Sequence, residues 1–132
     1  MPDAARRFAR RVFTGAAVYG LVALLPQYLL EERLGHDFPP AITHPEHFYG
    51  FIGVAIAWQF AFLVIARDPM RYRALMPVAA LEKIAFGGAA LVLYALGRIA
   101  WPVLGAGVVD LVLATLFLAA YRATPRAGGM LP

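Results

Sequence analysis

The 132-residue chain contains no cysteine, which excludes disulfides, thiolate metal sites and thiol catalysis and leaves the redox compartment open. It is also poor in charge. Asp, Glu, Lys and Arg together make 15% of the residues, against about 25% in soluble domains. What fills the gap is apolar: 61% of the residues are hydrophobic. A soluble domain of this length has too small a core to hide so much apolar surface. There is room for one domain, 1–132.

The net charge is +4 and the pI is near 9.9, values that also occur in nucleic-acid-binding proteins. The basic residues, however, flank apolar runs instead of forming a basic face, so no nucleic-acid partner is expected. Those runs are Val12 to Leu30, Phe48 to Ala66, Ala74 to Gly97 and Ile99 to Tyr121. Each approaches the ~20 residues that cross about 30 Å of hydrocarbon at about 1.5 Å per residue. The expected fold is all-α, a four-helix transmembrane bundle with spans over about 12–30, 48–66, 75–97 and 100–121. Arg6, Arg7, Arg10 and Arg11 before the first run resemble the start of a signal peptide. The run nevertheless outlasts an h-region, and Leu24 to Glu32 lacks a small-x-small cleavage site, so it reads as a retained span.

Charge sign sets the orientation. One set of span ends carries Arg6, Arg7, Arg10, Arg11, Arg67, Arg71, Arg73, Arg122 and Arg126, and the other carries only Arg33 and Arg98. The positive-inside rule makes the first set cytoplasmic, with both termini inside. The corresponding location is a bacterial inner membrane, crossed several times, with membrane lipids as surroundings. Pro26 is expected to bend the first span near its outer end. The outer loop Glu31 to Glu46, with Pro39, Pro40 and Pro45, reads as irregular or partly interfacial, and Pro45 suits the first turn of the second span. The connection around Arg98 is short enough to make spans three and four a tight hairpin. The Gly- and Pro-rich tail, 124–132, is expected to be disordered.

Four polar residues lie inside the spans: Gln59, Glu82, Lys83 and Asp110. A charge near the bilayer centre costs at least ~2.5–3.5 kcal/mol, so such groups face the bundle interior or water. Lys83 shares a helical face with Ala79, Gly87, Ala90 and Tyr94. Asp110 shares one with Ala106, Gly107, Ala114 and Phe117. Both faces are rich in small residues and suited to close approach across the hairpin. Lys83 sits about 12 Å and Asp110 about 16 Å from the cytoplasmic ends of their spans, at ~1.5 Å per residue, an offset that a lysine can bridge. Side chains lean toward the helix N-terminus, which sends these two apart and makes Gln59 a further candidate partner of Lys83. Glu82, about 100° around the helix, does not easily share the partner of Lys83 and is expected to face span two or headgroup-accessible water of the inner leaflet. The cluster reads as a structural ion pair, as a proton-relay or ligand-polarising site, or as a group in which one carboxyl is simply protonated in lipid, with Trp58 and Tyr94 as deeper aromatic candidates for a ligand cavity.

The outer loop holds His36, Asp37, His44, Glu46 and His47. Imidazole with carboxylate suits zinc, copper or iron. The spacing matches no metal motif, so His36, His44 and His47 are weak candidates and an exposed, hydrated loop is the simpler expectation. Tyr28, Phe38, Phe48, Tyr49, Tyr72, Trp101 and Tyr121 fall near the interfaces, where aromatic rings anchor spans. Arg67, Asp68, Arg71 and Arg73 form a short basic turn that serves as a topology determinant.

From Tyr49 to Arg98, through Arg67-Asp68-Pro69, Leu81-Glu82-Lys83 and Leu93-Tyr94, the chain resembles small bacterial four-span proteins of the DoxX-like type. The resemblance implies four spans with both ends inside. It also implies that relatives include subunits of quinone-linked oxidoreductases, and it carries over no catalytic residue. The leading expectation is a non-enzymatic membrane subunit or scaffold that forms homo-oligomers or joins a membrane protein partner through small-residue faces, Gly53 with Ala57 and Ala16 with Gly20. One alternative is an enzyme or redox subunit that binds a hydrophobic ligand, a quinone or sterol-like lipid, at the polar cluster. Another is a proton-coupled transport module. No cofactor is identified by any residue pattern.

Overall fold

The computed structural model describes residues 2–126 and Gly128. Five helices follow in order: α1 (Pro2–Leu24), α2 (Glu31–Asp37), α3 (Pro45–Arg67), α4 (Met76–Ala95) and α5 (Trp101–Ala123). Among the described residues there is no strand. The helical stretches Pro2–Leu29, Pro45–Arg67, Arg73–Ala95 and Trp101–Ala123 are long and apolar enough to cross a membrane, as a multi-pass membrane protein requires. The protein is an all-α four-helix bundle.

The first helix starts at Pro2, well before the apolar run that begins at Val12. Arg6, Arg7, Arg10 and Arg11 are therefore helical instead of forming a flanking segment. Arginine is a good helix former, and the buried series Ala9, Phe13, Ala16, Ala17, Gly20 and Leu24 keeps one face inward from Ala9 onward. Leu25–Leu29 then tightens into a 3-10 turn with Pro26 near its start, because proline cannot donate to the preceding turn.

The connection between α1 and α3 is more ordered at its start than the proline content implies. Glu31 and Glu32 open α2, where acidic side chains favour a helix N-terminus, and Tyr49 Oη donates to Glu31 Oε2 at 2.7 Å. The residues from 38 to 44 have no regular structure, and Pro45 occupies the first turn of α3. At the end of α4, Gly97 takes φ of 69°, and Arg98 N–H donates to the Leu93 carbonyl at 2.8 Å. This is a Schellman-type ending that only a residue without Cβ adopts readily, and it lets α5 begin at Trp101.

Helix α1 lies along α3 and meets α5, α4 lies along α5, and the backbones of α3 and α4 come close at few points. The larger core occupies the arginine-rich end of the bundle. Phe13 stacks on Phe117 with ring centroids 4.2 Å apart, and Phe62 meets Phe117 edge-on at 5.0 Å. Around them Ala9, Ala79, Ala114 and Ala120 are buried, which lets the helices approach closely. Arginines tie this end together. Arg10 donates to the Arg67 carbonyl at 3.1 Å. Arg73 Nε donates to the Thr124 carbonyl at 2.6 Å, with its guanidinium 3.9 Å from the Tyr121 ring centroid. Thr124 is thus docked and buried, contrary to its assignment to a disordered tail. For Ala127 and residues 129–132 that expectation lies outside the described residues.

Candidate functional site: an intramembrane polar cavity

The site begins with two glycines. Gly87 on α4 and Gly107 on α5 face each other so closely that a Cβ added at Gly87 would stand 2.8 Å from the Gly107 carbonyl oxygen. One helical turn away, Lys83 Nζ lies 3.3 Å from Asp110 Oδ1. Lys83 is 4% exposed, and its ammonium also lies 5.2 Å from the Phe62 ring centroid. The flexible lysine stem overcomes the opposed lean of the two side chains.

Two expectations about this cluster need correction. Glu82 does face span two, lining the cavity with Phe51, Ala55 and Gln59 of α3, but it is not separated from the lysine: its Oε2 lies 3.8 Å from Lys83 Nζ. Adjacent residues diverge around the helix, but both side chains are long enough to curl back toward each other. Gln59 does not join the lysine either. Its Nε2 donates to the Ala55 carbonyl one turn back on α3, at 2.8 Å. Gln59 is 1% exposed and fits only because Gly20 on α1 lies opposite, where an added Cβ would collide with the Gln59 carboxamide. The Ala16 and Gly20 pair is therefore consumed inside the bundle.

All four polar side chains line one cavity of about 110 Å³. Tyr19, Gly20 and Gln27 contribute from α1 and the turn after it, Phe51, Ala55 and Gln59 from α3, Phe86 from α4 and Ala106 from α5, with Glu82, Lys83 and Asp110 completing it. Phe51 and Phe86 bridge α3 and α4 with ring centroids 5.9 Å apart. Two buried acceptor atoms at this cavity, Gln59 Oε1 and Glu82 Oε2, have no hydrogen-bond partner in the protein. Buried acceptors are nearly always paired with protein, water or ligand, and leaving one unpaired costs about 1–3 kcal/mol. The arrangement can hold a polar group and orient it against an ion pair in an apolar shell.

Trp58 and Tyr94 do not line this cavity. Trp58 packs on Phe62 with centroids 6.4 Å apart, beside a shallow surface depression formed with Val54, Ala57 and Ala61. Tyr94 is exposed on the outer part of α4. The aromatic residues that do line the cavity, Tyr19, Phe51 and Phe86, did not stand out from ordinary span composition. A signal was nevertheless present, because Tyr19 and Gly20 sit together in mid-span, a polar ring beside a gap.

At the start of α3, His44, Glu46 and His47 come together with their ligating atoms within 4.8 Å of one another, all three exposed. His44 Nδ1 lies 3.0 Å from Glu46 Oε1, and the two imidazoles stack at 5.2 Å. His36 lies apart from this group and beside Asp37, with Nδ1 3.3 Å from Asp37 Oδ1. Comparison of the chain with protein-family models, with curated proteins and with solved structures finds no match.

Proposed function

We propose that the chain is a ligand-binding subunit of a bacterial inner membrane, with both termini cytoplasmic, whose cavity takes the polar head of a hydrophobic molecule. The observation that carries this reading is the pair of orphaned acceptors, Gln59 Oε1 and Glu82 Oε2, buried at one cavity beside the Lys83–Asp110 pair. The Lys83–Asp110 pair requires neither Gln59 Oε1, which has no partner in the protein, nor Glu82 Oε2, which has no hydrogen bond and only the 3.8 Å approach of Lys83 Nζ. The cavity of about 110 Å³ equals the liquid volume of roughly three or four waters at about 30 Å³ each. It accepts a headgroup, with the apolar body of the ligand left against the surrounding helices and lipid.

The sorted basic residues support the orientation, and the resemblance to DoxX-like proteins supports a role as a subunit beside a membrane partner. Association through the small residues Ala16 and Gly20 is less favoured, because both are buried within the monomer. Gly53 is likewise covered by Tyr28, whose hydroxyl would stand 3.5 Å from an added Cβ.

The test is extraction of the full chain from native membranes into nanodiscs, followed by native mass spectrometry and analysis of the co-purified small molecules. The wild type is expected to carry a hydrophobic molecule that the cavity-filling variant Ala106→Phe lacks. Identical complements in the two proteins, both folded, would contradict the proposal.

A further inference from the structure

Resting on that reading, we infer that the headgroup the cavity takes is a protonated amine, the head of an alkylammonium-type amphiphile. The orientation of Gln59 is fixed by its own backbone contact. Its Nε2 donates to the Ala55 carbonyl, and flipping the amide would set two oxygens against each other. The atom left over is therefore an acceptor, and so is the unpaired Glu82 Oε2. Both need a donor. The nearest cation, Lys83, is engaged by Asp110 at 3.3 Å and by Glu82 at 3.8 Å.

Formal charge points the same way. Counted with both carboxyls ionised, Glu82 and Asp110 face a single Lys83, and the one excess negative charge, costly in a low-dielectric shell, is removed either by a monovalent cation or by a proton on one carboxyl. A monovalent cation removes the excess and supplies the missing N–H donors together. The phenyl rings of Phe51 and Phe86 and the phenol of Tyr19 line the same space, and aromatic faces attract ammonium groups. A quinone carbonyl supplies no donor and leaves both acceptors orphaned. A carboxylate head does the same and deepens the negative excess. Phe51 lines the cavity and is also 49% exposed, and the backbones of α3 and α4 come close at few points, which gives the alkyl chain of the ligand a lateral way out to lipid.

The experiment uses the full chain in phosphatidylcholine nanodiscs and four probes of one chain length: decylammonium, decanol, decanoate and a decyl-substituted benzoquinone. Binding is measured by equilibrium dialysis with empty nanodiscs subtracted. Decylammonium is expected to bind saturably, at least tenfold more tightly than the other three. Glu82→Gln and Gln59→Leu are each expected to weaken it at least tenfold, while Glu82→Asp, which keeps the charge, changes it only a few-fold. Monodispersity and the thermal midpoint report folding of each variant. If decanol or the benzoquinone binds as well as decylammonium, and Ala106→Phe abolishes that binding, the amine inference is overturned while the cavity reading stands. If no probe binds in a way that Ala106→Phe abolishes, both fall.

Discussion

The arginine-rich half of the bundle and the opposite half share the same four helices but solve opposite problems. In the first, Phe13, Phe62 and Phe117 interlock, small residues bring the backbones together, and Arg10 and Arg73 pin helix ends through backbone carbonyls. In the second, the buried apolar cluster shrinks to Leu24, Ile52 and Ala55, and the space between the helices is a polar cavity. The helix pairs α1–α3 and α4–α5 that interlock at one end thus leave a cavity between them at the other, while α4 and α5 stay in close contact at Gly87 and Gly107. One half holds the chain together, and the other spends part of that stability on groups that a minimal bundle does not need, as binding sites commonly do.

Substitutions on either side separate these roles. The largest effect is expected from Lys83→Met, which leaves Glu82 and Asp110 buried without their counter-ion. Removing one partner of a buried pair costs about 3–5 kcal/mol, read as a fall in unfolding free energy in a denaturant titration of the detergent-solubilised protein. Adding Asp110→Leu to that variant is expected to recover part of the loss, since it removes one of the two stranded carboxyl groups and leaves Glu82 without its cation. A double variant no more stable than the single one would mean that the pair does not act as a unit.

Phe117→Ala probes the other half. Truncating a buried phenylalanine costs about 3–5 kcal/mol, and the account of two separate halves requires that ligand occupancy in folded protein, measured by native mass spectrometry, stay near the wild-type value. Gly107→Val falls at the boundary. Its side chain meets Ala90 and the Gly87 backbone, and overpacking of this kind costs about 1–3 kcal/mol. Because it pushes α4 from α5 beside Lys83 and Asp110, it is expected to lower both thermal midpoint and occupancy. Loss of stability alone would place the glycine pair in the structural half.

Much of this layout can be read from residue spacing, and the parts that cannot have physical reasons. The spans are legible because hydrocarbon thickness fixes their length. The small faces around Lys83 and Asp110 mark a close approach of α4 and α5 because Gly87 and Gly107 leave no side chain between the backbones. The start of α1 is hidden because Arg6 to Arg11 carry no long apolar run, although arginine favours helix and Ala9 already belongs to the buried face. Glu82 defeats a simple helical-wheel argument because side-chain length matters as much as angle. Gln59 turns back to its own helix because an intrahelical carbonyl is nearer than the ammonium of Lys83. The cavity itself depends on how four helices splay, and no single span records that. Tyr19, Phe51 and Phe86 acquire their place from the assembly and not from their neighbours in sequence.

The smallest stability change and the sharpest contrast between the halves are expected from Gln59→Leu. It removes a buried orphaned acceptor together with the Nε2 bond to the Ala55 carbonyl, two contributions of about 1 kcal/mol that oppose each other and leave stability near the wild-type value. The decisive measurement takes unfolding free energy and decylammonium binding on this one variant. Stability near wild type, with binding weakened at least tenfold, is the outcome expected if Gln59 is kept for a ligand. Stability lowered as far as in Phe117→Ala, or binding left unchanged, would contradict it and return Gln59 and its cavity to the structural half of the bundle.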